Sequence, residues 1–293
     1  MENSDNIITP SYIIKDDRFD TTLISEYHLC IEIKSDHFRF AVFSEPAQTF
    51  MWLEDYQTTL LWGQDKFTHF IKEIIKDHSF LGANYWRSIQ IITHSDAFTM
   101  VPTDLFQPND MAKYITFVTG KVPSPMEQIL EYSYTTFRAH TVFSVEGNLM
   151  SWMKNTYQAR AITPIHLSSI WIEGVLRQEN PDGFHIYFEG DAVILLYIKE
   201  GKVTYCNRFT YRTADDLVYY VLFVMHVLSI DAEAAILFYG EITTFADNYV
   251  MLAKSLPNIQ FASSPINVKF SQYFYEIPEH RYFALFSLKY LIY

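Results

Sequence analysis

Three consecutive residues, His94, Ser95 and Asp96, carry the side-chain types of a hydrolase triad. A triad needs its imidazole, hydroxyl and carboxylate to converge from separate elements, which neighbours at one strand end cannot do, so the trio reads as a polar strand end. Glu32, Glu73 and Asp96 offer the looser alternative of a carboxylate cluster for a two-metal nuclease. Glu73, however, directly precedes Ile74 and Ile75 in an amphipathic pattern and reads as a solvent-facing charge. The ten histidines fall in no H-E-x-x-H spacing, Cys30 and Cys206 have no C-x-x-C partner, and no serine sits in a G-x-S-x-G elbow. No catalytic residue and no metal site is expected.

The two cysteines lie inside apolar runs, which suits buried thiols in a reducing compartment and makes the cytoplasm the expected location. With 34 acidic and 22 basic residues the net charge is −12, and the basic residues are scattered, so nucleic acid and anionic lipid are not expected partners. The N-terminal stretch lacks the pattern of a secretory signal, and the apolar run Leu217 to Leu228 falls short of the roughly 20 residues that span a bilayer. No membrane insertion is expected. Hydrophobic residues make up 49% of the 293-residue chain, enough for a substantial core without metal or disulfide.

The elements that would position any site repeat along the chain. Residues 1–25 read as an irregular arm. From Tyr27, alternation over Leu29 to Ile33, a turn at Ser35-Asp36 and renewed alternation at Phe38, Phe40 and Val42 predict a hairpin. A third strand at Phe50 to Tyr56, a helix over Asp65 to Lys76 and a strand at Ser88 to Thr93 complete a unit. After the turn-rich Asn180-Pro181-Asp182-Gly183, the pattern recurs with strands at His185 to Phe188, Val193 to Ile198 and Val203 to Phe209. Thr213 is the expected N-cap of a helix running to about Ser229. A strand at Ala234 to Tyr239, a helix at Phe245 to Ser255, a strand at Ile259 to Ala262 and a terminal helix at Glu279 to Leu291 follow. Between the copies, strands at Glu131 to Phe137 and Thr141 to Val145, a helix at Asn148 to Tyr157, a strand at Ala161 to Ile165 and a helix at Ser168 to Arg177 are expected. The expected organisation is an arm (1–25), a first lobe (26–180, with an insertion at about 97–145) and a second lobe (181–293).

Two α/β lobes of βββαβαβα order resemble the two-lobed actin-like ATPase (ribonuclease H-like) superfamily. The run Val142 to Leu176 is similar in layout to its pilus-assembly and type II secretion branch. The runs YHLCIEIKSDHFRFAVF (Tyr27 to Phe43) and GKVTYCNRFTYRTADDLVYYVLFVMHVLSID (Gly201 to Asp231) resemble a family of uncharacterised Bacteroidetes proteins known only as a domain of unknown function. Asn207, Phe209, Asp216 and the pair Tyr219-Tyr220 carry most of that likeness, which spans roughly residues 25 to 291.

The superfamily resemblance implies an Asp-x-Gly on the first hairpin of each lobe, its carboxylate ordering Mg²⁺ and its glycine admitting phosphate to the backbone. Here Glu32 stands at the Asp position and Lys34 at the Gly position of the first lobe. The second hairpin has only Glu189-Gly190-Asp191, in different spacing, and the implied adenosine-binding glycine pair is reduced to Gly240 followed by Glu241. The expectation is therefore a vestigial interlobe cleft, no cofactor, and a non-catalytic scaffold. Much of the load of 24 Phe, 21 Tyr and 5 Trp must fill the cores. However, Tyr132 to Phe137, Phe270 to Ile277 and Arg281 to Tyr293 exceed what one helical or strand face can bury. These runs are expected to bind another protein or a second copy of the chain, the other reading being a Tyr-rich core with hydroxyls reaching water. The alternative is an ATP- and Mg²⁺-dependent protein with a rearranged site built from Glu32, Lys34, Glu189, Asp191 and Gly240.

Overall fold

The computed structural model describes residues 8–58, 64–231 and 233–292. Its first sheet is built on the predicted hairpin, β2 (Tyr27–Lys34) against β3 (His37–Ser44), with Glu32 opposite Arg39 and Lys34 opposite His37. β4 (Thr49–Gln57) continues the meander, and β1 (Tyr12–Lys15) pairs antiparallel with β4 at the edge. The stretch expected as an irregular arm thus includes a strand; its four residues are too few for alternation to declare itself, and residues 1–7 lie outside the described residues. α1 (Gln64–Asp77) leads to β5 (Ser88–Thr93), which runs parallel to β2.

An antiparallel sheet of β6 (Phe98–Pro102), β8 (Ala139–Glu146) and β7 (Glu127–Ser133) follows, carrying α2 (Met111–Thr119). α2 was not expected from the sequence. It lies between Pro108 and Gly120 and buries little beyond Ile115, so its apolar stripe is too narrow to read. β7 also starts earlier than the aromatic run suggested and ends at Ser133. α3 (Gly147–Thr156), β9 (Pro164–His166), beside β5 in the first sheet, and α4 (Leu167–Leu176) complete this half.

The second sheet repeats the arrangement: β10 (Gly183–Phe188), β11 (Ala192–Lys199) and β12 (Lys202–Thr210) form the meander. α5 (Ala214–Val227) follows, with Thr213 and Asp216 closing the expected N-cap as a reciprocal capping box. β13 (Ile236–Gly240), parallel to β10, α6 (Asp247–Ala253) and β14 (Ile259–Phe261) complete the sheet, and α7 (Glu279–Ser287) ends in a 3₁₀ turn over Leu288–Leu291.

Side-chain parity divides the cores. Leu29, Ile31, Ile33, Phe38 and Phe40 face α1, while Phe184, Ile186, Phe188, Ile236 and Phe238 face α5. The opposite faces of both sheets share a third core with α4 and α7, where Cys30, Phe43 and Leu53 of one lobe and Tyr187, Ile194 and Leu196 of the other meet Ile170, Trp171 and Tyr282 to Leu288. α4 and α7 approach closely at Gly174, where an added Cβ would stand 2.3 Å from Ser287 Oγ and 2.8 Å from a Phe283 ring carbon. No helix among the described residues is long and apolar enough to cross a membrane.

Candidate functional site

Strand parity also places a set of charges. Glu32 and Arg39 lie on the same face of their strands as Cys30 and Ala41, and Glu189 and Glu241 extend the row of Tyr187 and Tyr239, so all four point between the lobes. They meet at the end of the cleft formed by the tips of the two hairpins.

His94, directly after β5, joins the lobes: its Nε2 is 2.9 Å from Glu32 Oε1 and its Nδ1 is 2.9 Å from Glu189 Oε1. Two ionised carboxylates can only accept, so a ring bonded to both donates from both nitrogens and is an imidazolium. Burial opposes that charge, but the hydrogen bonds to Glu189 and Glu32 outweigh it and hold His94 charged above the usual imidazole range. Burial likewise opposes the charge on Glu189, yet His94 and Arg208 bring its carboxyl down to about 2. Arg208 Nε donates to Glu189 Oε2 at 2.8 Å and its Nη2 pairs with Asp96 of the first lobe at 2.7 Å.

A second cluster lies alongside. Arg39 Nη2 donates to Glu241 Oε1 at 2.5 Å, and Arg39 Nε lies 3.8 Å from Glu32 Oε2 and 4.0 Å from Asp55 Oδ1. Arg281 of α7 pairs with Glu241 at 2.9 Å and with Asp55 at 3.2 Å, and the Tyr282 hydroxyl donates to Asp55 at 3.0 Å. Burial disfavours the Glu241 carboxylate, but Arg39 and Arg281 lower it to about 2.

The sequence-derived candidates divide accordingly. Glu32, Glu189 and Glu241 converge, each already paired with a cation of this chain. Lys34 pairs with Asp36 at 3.1 Å, and its Nζ lies 3.5 Å from where a Cβ on Gly190 would stand, so the two hairpin tips nearly touch. Asp191 is exposed at the turn, where its carbonyl accepts from the Tyr211 N–H. Gly240 adopts φ +80°, and a Cβ there would stand 2.3 Å from the Phe188 carbonyl, so the glycine serves the packing of β13 on β10.

His94, Ser95 and Asp96 turn to different partners: His94 to Glu32 and Glu189, Ser95 Oγ to Ala97 and Ser144, and Asp96 to Arg208. Glu73 pairs with Lys76 on α1, across the sheet from Glu32. Arg39, Asp55, Arg208 and Arg281 are participants that the sequence did not single out, and His94, expected only as part of a polar strand end, is the bridge between Glu32 and Glu189. Arg39 had a readable signal, because a charge between Phe38 and Phe40 in a strand buried on both faces needs a partner.

An open pocket of about 360 Å³ lies elsewhere, beside Gln178 to Asn180 and the start of β10, lined also by Tyr239, Ser264 and Phe283. Its His185 is bonded to the Pro181 carbonyl and the Tyr239 hydroxyl, and burial lowers its pKa to about 4, leaving a neutral ring.

The sequence profile of a family described as "Protein of unknown function (DUF3822)" matches residues 16–259. No curated protein matches the chain. Among solved structures, a Bacteroides thetaiotaomicron protein with actin-like ATPase fold and unknown function superposes with a TM-score of 0.72 at 17% identity, over 83% of this chain and 93% of that one. A chain of the PilM–PilN type IV pilus biogenesis complex superposes with a TM-score of 0.57 at 12% identity, over 89% of this chain and 98% of that one. The fold is the actin-like ATPase fold.

Proposed function

The chain belongs to the DUF3822 family, and we propose that it is a non-catalytic, cytoplasmic actin-like scaffold that works by binding another protein or a second copy of itself, with no nucleotide cofactor. The observation that carries this reading is the pair of charge clusters, Glu32–His94–Glu189 and Arg39–Glu241, that ties the lobes together where the resemblance would put a nucleotide. A Mg-nucleotide needs a carboxylate free to order the metal's waters and backbone N–H groups free to meet phosphate. Glu32 is committed to His94, and the Lys34 amine lies against Gly190. Admitting a nucleotide would require these pairs to be given up for contacts with the ligand. The likeness to a chain of a pilus biogenesis complex supports an interaction role.

The test is the melting temperature with ATP, ADP or GTP, each with Mg²⁺, at up to several millimolar. The expected result is no shift. Binding at 100 times Kd would add about 2.7 kcal/mol, a shift of several degrees, and would replace this reading with an ATP- and Mg²⁺-dependent protein using the rearranged site.

A further inference from the structure

α1 and α5 occupy the same place in the two lobes: each follows a three-stranded meander, covers the outer face of its sheet and leads to a strand parallel to the first of the meander. Four buried positions correspond, Phe67, Ile71, Ile74 and Ile75 in α1 matching Leu217, Val221, Val224 and Met225 in α5, while the buried Thr68 and Phe70 of α1 match the half-buried Val218 and Tyr220. Their outer faces do not match. Where α1 carries His69, Lys72, Glu73, Lys76 and Asp77, α5 carries Tyr219, Leu222, Phe223, His226 and Val227. On α5, Tyr219 is 63% exposed, Leu222 38%, Phe223 49% and Val227 60%, and the Tyr219 and Phe223 rings stack at 5.9 Å. Since α1 holds its place with a polar outer face, the fold itself does not require the apolar one on α5. A contiguous exposed apolar stripe marks an interface.

The sequence of that stripe selects its occupant. Asp215, Tyr219, Leu222 and His226 follow one another at spacings of four, three and four, the seam of a helix that pairs with another helix. If the partner is α5 of a second chain, lying antiparallel about a two-fold axis between positions 219 and 222, Tyr219 of each copy faces Leu222 of the other. Asp215 then faces His226 at both ends, so each carboxylate meets an imidazole that can donate to it, and Val227 comes over the small Ala214. Antiparallel helix dipoles add to the match. The carboxylate is at one end of the stripe and the imidazole at the other, so the face is complementary to itself, the requirement of a two-fold interface. A chain of net charge −12 repels its copy, but along this seam the single acid is matched.

We propose that α5 is the contact of a homodimer, a deepening of the scaffold reading and resting on it. The face is narrow, four exposed apolar residues on one helix, so the dimer belongs to the small, weak class of interfaces, forming on the order of 10 µM.

Sedimentation of the full chain from about 1 to 200 µM tests it. The mass is expected to rise from 34.4 kDa towards twice that value. A variant carrying the α1 residues on this face, Tyr219→His, Leu222→Lys, Phe223→Glu and Val227→Asp, is expected to stay at the single-chain mass with its melting temperature at 1 µM unchanged. His226→Asp sets two carboxylates against each other and should weaken assembly at least about tenfold, and adding Asp215→His should restore it. A wild-type chain that stays single at 200 µM, a four-residue variant that still pairs, or a charge exchange that fails to restore pairing would each overturn the proposal. A nucleotide-dependent melting shift would overturn the scaffold reading while leaving the sedimentation result standing.

Discussion

Two charge clusters cross from one lobe to the other. In one, an imidazole is held between two carboxylates, Glu32 and Glu189, with Arg208 and Asp96 leading out to solvent. In the other, two guanidinium groups, Arg39 and Arg281, are shared by Glu241 and Asp55. On the acid side the clusters behave alike. Glu189 and Glu241 both have folded pKa values of about 2, so each adds stability above the usual carboxylate range that is lost as pH falls from there towards 2. On the alkaline side they differ, because a guanidinium keeps its proton and an imidazolium does not. The same job of joining two lobes can therefore be fixed or conditional on pH according to one residue type.

The largest break in that comparison is expected at Arg39. Arg39→Met leaves Glu241, Glu32 and Asp55 with less cation than charge in a buried site, and should cost about 3–5 kcal/mol, read as a Tm lower by roughly 10 °C. His94→Leu removes the bridge but leaves Glu189 its arginine, so a smaller loss of about 1–3 kcal/mol is expected in denaturant titration at neutral pH.

The pH dependence sharpens the contrast. His94 has a folded pKa above its unfolded value, so its contribution is complete below about pH 6.5 and is lost as pH rises through the folded value. Unfolding free energy measured upward from pH 6 should fall in wild type, and that His94-dependent slope should be absent from His94→Leu. An unchanged slope in the variant would mean that some other group sets it. The smallest effect is expected at the wet end, where Asp96 is 83% exposed: Asp96→Asn should change stability by less than about 1 kcal/mol, and less still in high salt.

Where alternation or amphipathic spacing was strong, the elements were legible in the sequence. β5 falls on its expected residues, and the Thr213 cap is where the Thr-Ala-Asp-Asp run implied. β1 and α2 were not legible, because one is four residues long and the other buries almost nothing. Of the candidate site, Glu32, Glu189 and Glu241 could be found by laying a known pattern on the hairpins. Of their cations, Arg39 alone carried a local signal, as a charge inside a strand buried on both faces. His94 and Arg208 come from separate lobes, and no local spacing links residues 62 and 19 positions away from their partners. Asp191 and Gly240 had the right types for phosphate chemistry but serve a turn and a close strand contact.

Because α7 comes after every strand of both sheets, its place between the lobes also sets an order of events during synthesis. Until Tyr282 to Leu288 have left the ribosome, the inward faces of the two sheets lack one of the two helices that cover them, and Arg281 is not yet there to balance Asp55 and Glu241. A chain with both sheets but not α7 would leave apolar inner surface uncovered, the kind of surface through which partly folded chains aggregate. Joining the halves therefore waits for α7, whichever of the two sheets forms first.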